Sequence, residues 1–204
     1  VAPRDLEANH LLGNLLGHSG QIDAALERLA AAAEIAPNDV DVLVDRASVL
    51  LEAERLDEAL ATADRAVALD PRSRRARAAR GWVLLGQGLW DDAAGAFRPL
   101  TTEAPGEAEG WHGLGMAELS AGRFEPAAAA LARAAAAAPD DPQEWSDLGV
   151  ARMNGGSAEG AVEALAAARR LAPRDPGVAF RLAQASAAAG LWVEADEVLN
   201  VAFD

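Results

Sequence analysis

The chain has no cysteine, which excludes disulfides, thiolate metal sites and cysteine nucleophiles. That absence suits a reducing and an oxidising compartment alike. Cytoplasm is favoured and periplasm stays open. Lysine is missing too: all 18 basic side chains are arginine. In an alanine-rich chain this codon bias points to a bacterial source. Positive charge is scarce overall, and the net charge of −14 argues against phosphate-backbone binding, so no nucleic-acid partner is expected. No apolar run is long enough to span a membrane, and no signal peptide opens the chain. No phosphate loop, H-E-x-x-H pattern or nucleophile–base pair is present. Neither catalytic residues nor a cofactor are therefore expected.

What is present is a period. Pro3, Pro37, Pro71, Pro105, Pro139 and Pro173 fall 34 residues apart without a slip. Two small-residue positions keep the same register. One reads Gly13, Ala47, Gly81, Gly115, Gly149 and Ala183; the other reads Ala25, Ala59, Ala93, Ala127, Ala161 and Ala195. A fixed period of this length signals a repeat array, which needs no single globular core. A hydrophobic fraction of 51%, much of it alanine, rules out disorder and favours closely packed helices over a bulky aromatic core.

Each unit reads as helix, tight turn, helix, stop. In 6–39, Leu11, Leu12, Leu15 and Leu16 give one helical stripe, which halts at Ser19-Gly20. A second helix starts near Asp23, whose carboxylate suits the helix dipole and is expected to cap it. Pro37 ends that helix, since proline lacks the N–H and disfavours helix in the residue before it. The same scheme divides the chain into 40–73, 74–107, 108–141, 142–175 and a truncated 176–204. Residues 1–5 match the end of a unit, Leu171 to Asp175, and are expected to be the tail of a preceding one.

Three irregularities carry expectations. Glu54 stands where other units have glycine at the turn, so a blunter or strained turn is expected. Pro99 lies inside a second helix and predicts a kink. Leu100 replaces the alanine found at Ala66 and Ala134, which predicts a wider step to the next helix.

The order Trp111, Leu114, Gly115, Gly122, Phe124, Ala127, Leu131, Ala134, Pro139 resembles the tetratricopeptide repeat. Six copies in register extend the resemblance over nearly the whole chain. Asn9, Leu43, Arg77 and Ala179 depart from the first Trp, and Arg152 and Ser186 stand where the family often has Tyr. The resemblance implies an all-α, right-handed superhelical solenoid of stacked antiparallel helix pairs. It also implies a non-catalytic protein–protein interaction scaffold that binds a peptide or partner segment in its concave groove. Alternatives are a substrate-presenting arm of a larger enzyme and an assembly module that self-associates through uncapped ends.

In such arrays the groove is read at the second, fifth, ninth, twelfth and thirteenth positions of the first helix. Carried over, these positions include His10, Asn14, His18, Arg75, Trp82, His112, Met116, Met153, Asn154, Phe180 and Gln184 as partner-binding candidates. They also include Gly17, Val44, Ala78 and Ser146. All three His, both Met and two aromatics outside packing positions thus fall on one face, which suits a binding surface. The family's carboxylate clamp is not matched: His10 and Asn14 mimic its first pair loosely, but Asp45 stands where the clamp needs Asn.

Arg72, Arg74, Arg75, Arg77 and Arg80 form the one basic cluster. It reads either as an anchor for an acidic segment or as pairing with acids on adjacent helices such as Asp41, Asp45 or Glu107; pairing is favoured. His10 and His18 are two turns apart and His112 is three units away, so no shared metal site is expected. Paired acids at Asp91-Asp92 and Asp140-Asp141 sit at helix starts or loops, where capping accounts for them.

Overall fold

A computed structural model describes residues 5–203. The match of residues 1–5 to a unit end therefore lies outside the described residues, except at Asp5. The described residues form twelve α-helices and no strand. They fall into two compact units that part between Phe97 and Arg98.

The unit up to Phe97 holds α1 (Leu6–His18), α2 (Ile22–Ile35), α3 (Val40–Glu52), α4 (Leu56–Leu69), α5 (Arg74–Gly86) and most of α6 (Trp90–Glu103). The unit from Arg98 holds the end of α6 and then α7 (Ala108–Ser120), α8 (Phe124–Ala137) and α9 (Pro142–Asn154). It closes with α10 (Ala158–Leu171), α11 (Pro176–Ala188) and α12 (Trp192–Phe203). The odd-numbered helices begin 34 residues apart, at 6, 40, 74, 108, 142 and 176.

Local chemistry explains the starts and stops. Asp5, Asp39, Ser73, Asp141 and Asp175 each accept a backbone N–H at the start of an odd-numbered helix. The cap expected from Asp23 does not form, and three other even-numbered helices also start without a side-chain cap. Gln21, Arg55, Arg123 and Ser157 occupy those cap sites without a side-chain hydrogen bond. Asp23 sits two residues too late to cap, inside the first turn. The turn before α2 is a Schellman motif that closes α1: Gly20 N–H donates to Gly17 O at 2.8 Å, and Gln21 N–H to Leu16 O at 2.9 Å. Each even-numbered helix from α2 to α10 stops two residues before a proline of the 34-residue series.

The motif needs one left-handed residue. Gly20, Gly88, Gly122, Gly156 and Gly190 supply it with φ of 73–80°. Glu54 adopts the same conformation at φ 56°, so its turn is as sharp as the others and is strained.

Within each unit, consecutive helices pack antiparallel. A Cβ added to Gly13 would meet Leu29 Cγ at 2.7 Å, and one added to Gly17 would approach Ala25 Cβ at 3.9 Å. The paired residue numbers thus run in opposite directions. Leu131 and Leu165 sit against Gly115 and Gly149 in the same way and are fully buried. Burial of each leucine contributes about 2 kcal/mol. In α5 the bulky partner is Phe97, against Gly81. At the matching places in α3 and α4, both residues are small and fully buried, Ala47 and Ala63.

Pro99 lies inside α6, which runs as one helix from Trp90 to Glu103. Close by, the Thr101 and Thr102 hydroxyls donate to the carbonyls of Arg98 and Pro99 at 2.8 and 2.9 Å. The wider step expected at Leu100 is corrected: Leu100 does not hold α7 away. A Cβ added to Gly110 would lie 2.9 Å from Leu100 Cβ and 3.1 Å from its carbonyl carbon. The missing side chain at Gly110 makes room for the extra bulk at Leu100.

Candidate functional site

The odd-numbered helices carry the candidate residues, and in the first unit three of them converge. Asp45 on α3 is the hub. Its Oδ2 accepts from His10 Nε2 at 2.6 Å and from Asn14 Nδ2 at 2.7 Å, both on α1. Its Oδ1 accepts from Arg75 Nη2 on α5 at 2.7 Å, while Arg75 Nη1 donates to Asp41. A carboxylate only accepts, so each partner must present a proton to it. Asp45 thus ties three helices together through one side chain that is 16% exposed. In the sequence it stands out as a departure from the clamp pattern and as one of the acids expected to pair with the arginine cluster. A signal lay in the register, since carboxylate and imidazole are 35 residues apart, one unit plus one.

The arginine cluster is resolved where partners are visible. Arg75 pairs with Asp41 and Asp45, and Arg80 Nε with Asp64 Oδ1 at 2.6 Å. These arginines hold neighbouring helices.

Beside the hub lies a cleft of about 280 Å³. Asn14, Gly17 and His18 line it from α1, Asp45, Ser48, Val49 and Glu52 from α3, and Arg75 from α5. His18 is exposed, and its Nδ1 lies 2.7 Å from the Asn14 carbonyl one turn back. That carbonyl can only accept, so Nδ1 carries the proton and a neutral ring leaves Nε2 as an acceptor.

The second unit repeats the acid–imidazole arrangement. His112 Nδ1 on α7 lies 2.9 Å from Glu144 Oε2, and Nε2 lies 3.9 Å from Asp147 Oδ2, both on α9. Gln143 Nε2 donates to Asp147 at 2.9 Å, and Arg181 on α11 donates to Ser146 Oγ at 3.0 Å. Burial is the largest influence on His112 and pulls its pKa down. The hydrogen bond and charge of Glu144, with the charges of Asp147 and Asp141, outweigh it and leave the pKa above the ordinary histidine value. Burial also raises the Asp147 pKa. The Gln143 hydrogen bond and the positive charges of His112 and Arg181 oppose that rise, and the Glu144 charge adds to it.

Other candidates are dispersed. Trp82 was read as lying outside the packing, but its ring meets that of Phe97 edge-on, 4.9 Å between centroids and 65° between planes. Met153 packs on the core formed by Ala161, Leu165, Leu182 and Ala185. Met116 is half-buried and Asn154 is exposed. Phe180 and Gln184 share a second, mostly apolar cleft of about 340 Å³ with Ala183, Ala187, Trp192, Ala195 and Asp196.

Several positions read as groove-facing are covered. Val44, Ala78 and Ser146, at the fifth position, are at most 5% exposed, and Gly17 at the twelfth is buried against Val49. The fifth, eighth and twelfth positions follow spacings of three and four, so they share one helical stripe. In α3 that stripe meets α5, where Val44 packs with Ala76 and Ala79.

Among the described residues, no group of three or more His, Asp or Glu is placed to hold a metal ion. No described helix is long and apolar enough to cross a membrane.

A family model described as a tetratricopeptide repeat matches residues 3–83. A second of the same description matches 78–142 and 146–202. No curated protein matches the chain in sequence. Solved structures do match in fold. TTC0263, a thermophilic protein of this repeat class from Thermus thermophilus, is 24% identical with a TM-score of 0.77, over 89% of this chain and 98% of its own. PilW, a widely conserved type IV pilus biogenesis factor, is 18% identical with a TM-score of 0.85, over 95% of this chain and 90% of its own. YrrB, a protein of this repeat class with an unusual peptide-binding site, is 22% identical with a TM-score of 0.66, over 86% of this chain and 91% of its own.

Proposed function

Because the chain belongs to the tetratricopeptide repeat family, we propose that it is a non-catalytic scaffold holding a peptide or partner segment on the concave face of its first helices. In this reading the repeats are 6–39, 40–73, 74–107, 108–141, 142–175 and 176–204. One observation carries the proposal. Asn14, His18 and Arg75 are brought from two different helices, with Asp45 from the helix between, to line a single cleft. The hydrogen bonds to Asp45 hold that cleft in shape before any ligand arrives, which lowers the cost of ordering on binding. Phe180 and Gln184 line a separate, apolar cleft in the other unit, of the kind that peptide anchors fill.

Affinity capture of partners from the source organism tests the reading. The wild-type chain is run beside an Asn14→Ala, His18→Ala, Phe180→Ala variant of equal helicity. A partner retained by wild type and lost by the variant supports the groove. A partner held equally by both moves binding elsewhere on the surface.

A second reading, self-association, has its own observation. Leu11 and Leu15 on α1 are about 60% exposed, as are Trp192 and Val193 on α12 at 69%. Such side chains suit contact between copies. Light scattering over a range of concentration tests it, and a constant monomer mass removes it.

A further inference from the structure

The hydrogen-bond inventory of the cleft between α1, α3 and α5 says which chemistry it lacks. Each of its side-chain donor residues already serves a protein acceptor. Arg75 gives Nη1 to Asp41 and Nη2 to Asp45. Asn14 Nδ2 donates to Asp45, the Ser48 hydroxyl to the Val44 carbonyl at 3.2 Å, and His18 Nδ1 to the Asn14 carbonyl. Asn14 Oδ1, His18 Nε2 and the Glu52 carboxylate, all acceptors, receive no hydrogen bond among the described residues. The single arginine charge is balanced by Asp41 and Asp45, so the Glu52 charge is left over.

Glu52 has no role in the fold that explains it. It is the last residue of α3, where a negative charge opposes the helix dipole. It is exposed and forms no ion pair among the described residues. A carboxylate set against the local helix field, lining the same cleft as two other unfilled acceptors, suits a cation.

We propose that this cleft takes a cationic side chain of the partner segment, a lysine ammonium or an arginine guanidinium, with Glu52 as its counter-ion. The proposal rests on the groove reading above and names the chemistry of the occupant. It also fits the failed match to a carboxylate clamp, because the one arginine that lines the cleft is already balanced by Asp41 and Asp45.

The test is selection of random 12-residue peptides against the wild-type chain. Binding of the enriched peptides is then measured by fluorescence anisotropy to wild type, Glu52→Gln and Phe180→Ala. Enriched peptides should carry Lys or Arg. Their affinity should fall about tenfold in Glu52→Gln, the loss of one charge-assisted contact. It should also weaken as NaCl is raised from about 0.05 to 0.3 M. Since Glu52→Gln relieves an unfavourable helix-end charge, the variant should fold at least as well as wild type, and circular dichroism checks this. Peptides that lack basic residues and bind Glu52→Gln unchanged but lose affinity in Phe180→Ala overturn the cation inference and leave the groove. Peptides indifferent to both substitutions, or no enrichment at all, overturn both.

Discussion

Gly115 and Leu131 share one volume: a methyl group built onto the glycine would sit 2.6 Å from Cγ of the leucine and 3.2 Å from its backbone nitrogen. The leucine fills the space that the glycine leaves, and the two helices are in near-backbone contact there. Gly13 with Leu29 and Gly81 with Phe97 follow the same rule.

That exchange of volume should show as coupling. Gly115→Ala is expected to destabilise by about 1–3 kcal/mol, because the core must shift to admit the methyl. Gly115→Ala in a Leu131→Ala background should cost clearly less. Urea denaturation of the four proteins checks it, and additive effects would show that the contact is not the cause.

Glu54 holds a left-handed backbone that the other turns give to glycine. Replacing it should relieve that strain. Glu54→Gly is expected to stabilise by about 1 kcal/mol, less the entropy glycine adds to the unfolded chain. A lower midpoint in urea than wild type would refute this.

Glu118 is a carboxylate only 7% exposed, with Arg123 Nε on one oxygen and Arg98 Nη2 at 3.4 Å from the other. Glu118→Gln keeps the shape and removes the charge. It should cost about 1–2 kcal/mol, mostly through Arg123, since Arg98 is well exposed. Arg98→Ala should cost far less, and thermal melts of both variants rank the two contacts.

His112 predicts a pH dependence. Its folded pKa is raised above its unfolded value, so its ionic contribution is complete below the ordinary histidine value of 6.5 and is lost as pH rises through the folded one. The stability difference between wild type and His112→Gln should therefore be larger at about pH 5.5 than at about pH 8.5. An NMR titration of the ring protons should place the His112 midpoint above the ordinary histidine range. A midpoint at or below that range would mean that burial outweighs Glu144.

Much of the helix pattern could be read from residues alone because its causes are local. Proline at Pro37 and its equivalents stops a helix through its own missing N–H, wherever the chain goes next. Glycine at Gly20 and its equivalents permits a left-handed turn by lacking a Cβ. Alanine at Ala25 and its equivalents marks where helices come close. The family followed from these features in register. The same local reasoning misplaced the cap at Asp23, because the Schellman turn brings the chain into the next helix two residues earlier.

Tertiary structure decided what depends on a partner distant in sequence. Whether Leu100 widens a step depended on Gly110 opposite it. Whether Trp82 is open depended on Phe97, and whether Val44 faces a groove depended on Ala76 and Ala79 of α5. Above all, His10, Asn14 and Arg75 could be read as groove residues, but their common carboxylate could not. Asp45 acquires that role only when three helices are set side by side, because a hydrogen bond is a matter of ångströms and sequence gives only the register.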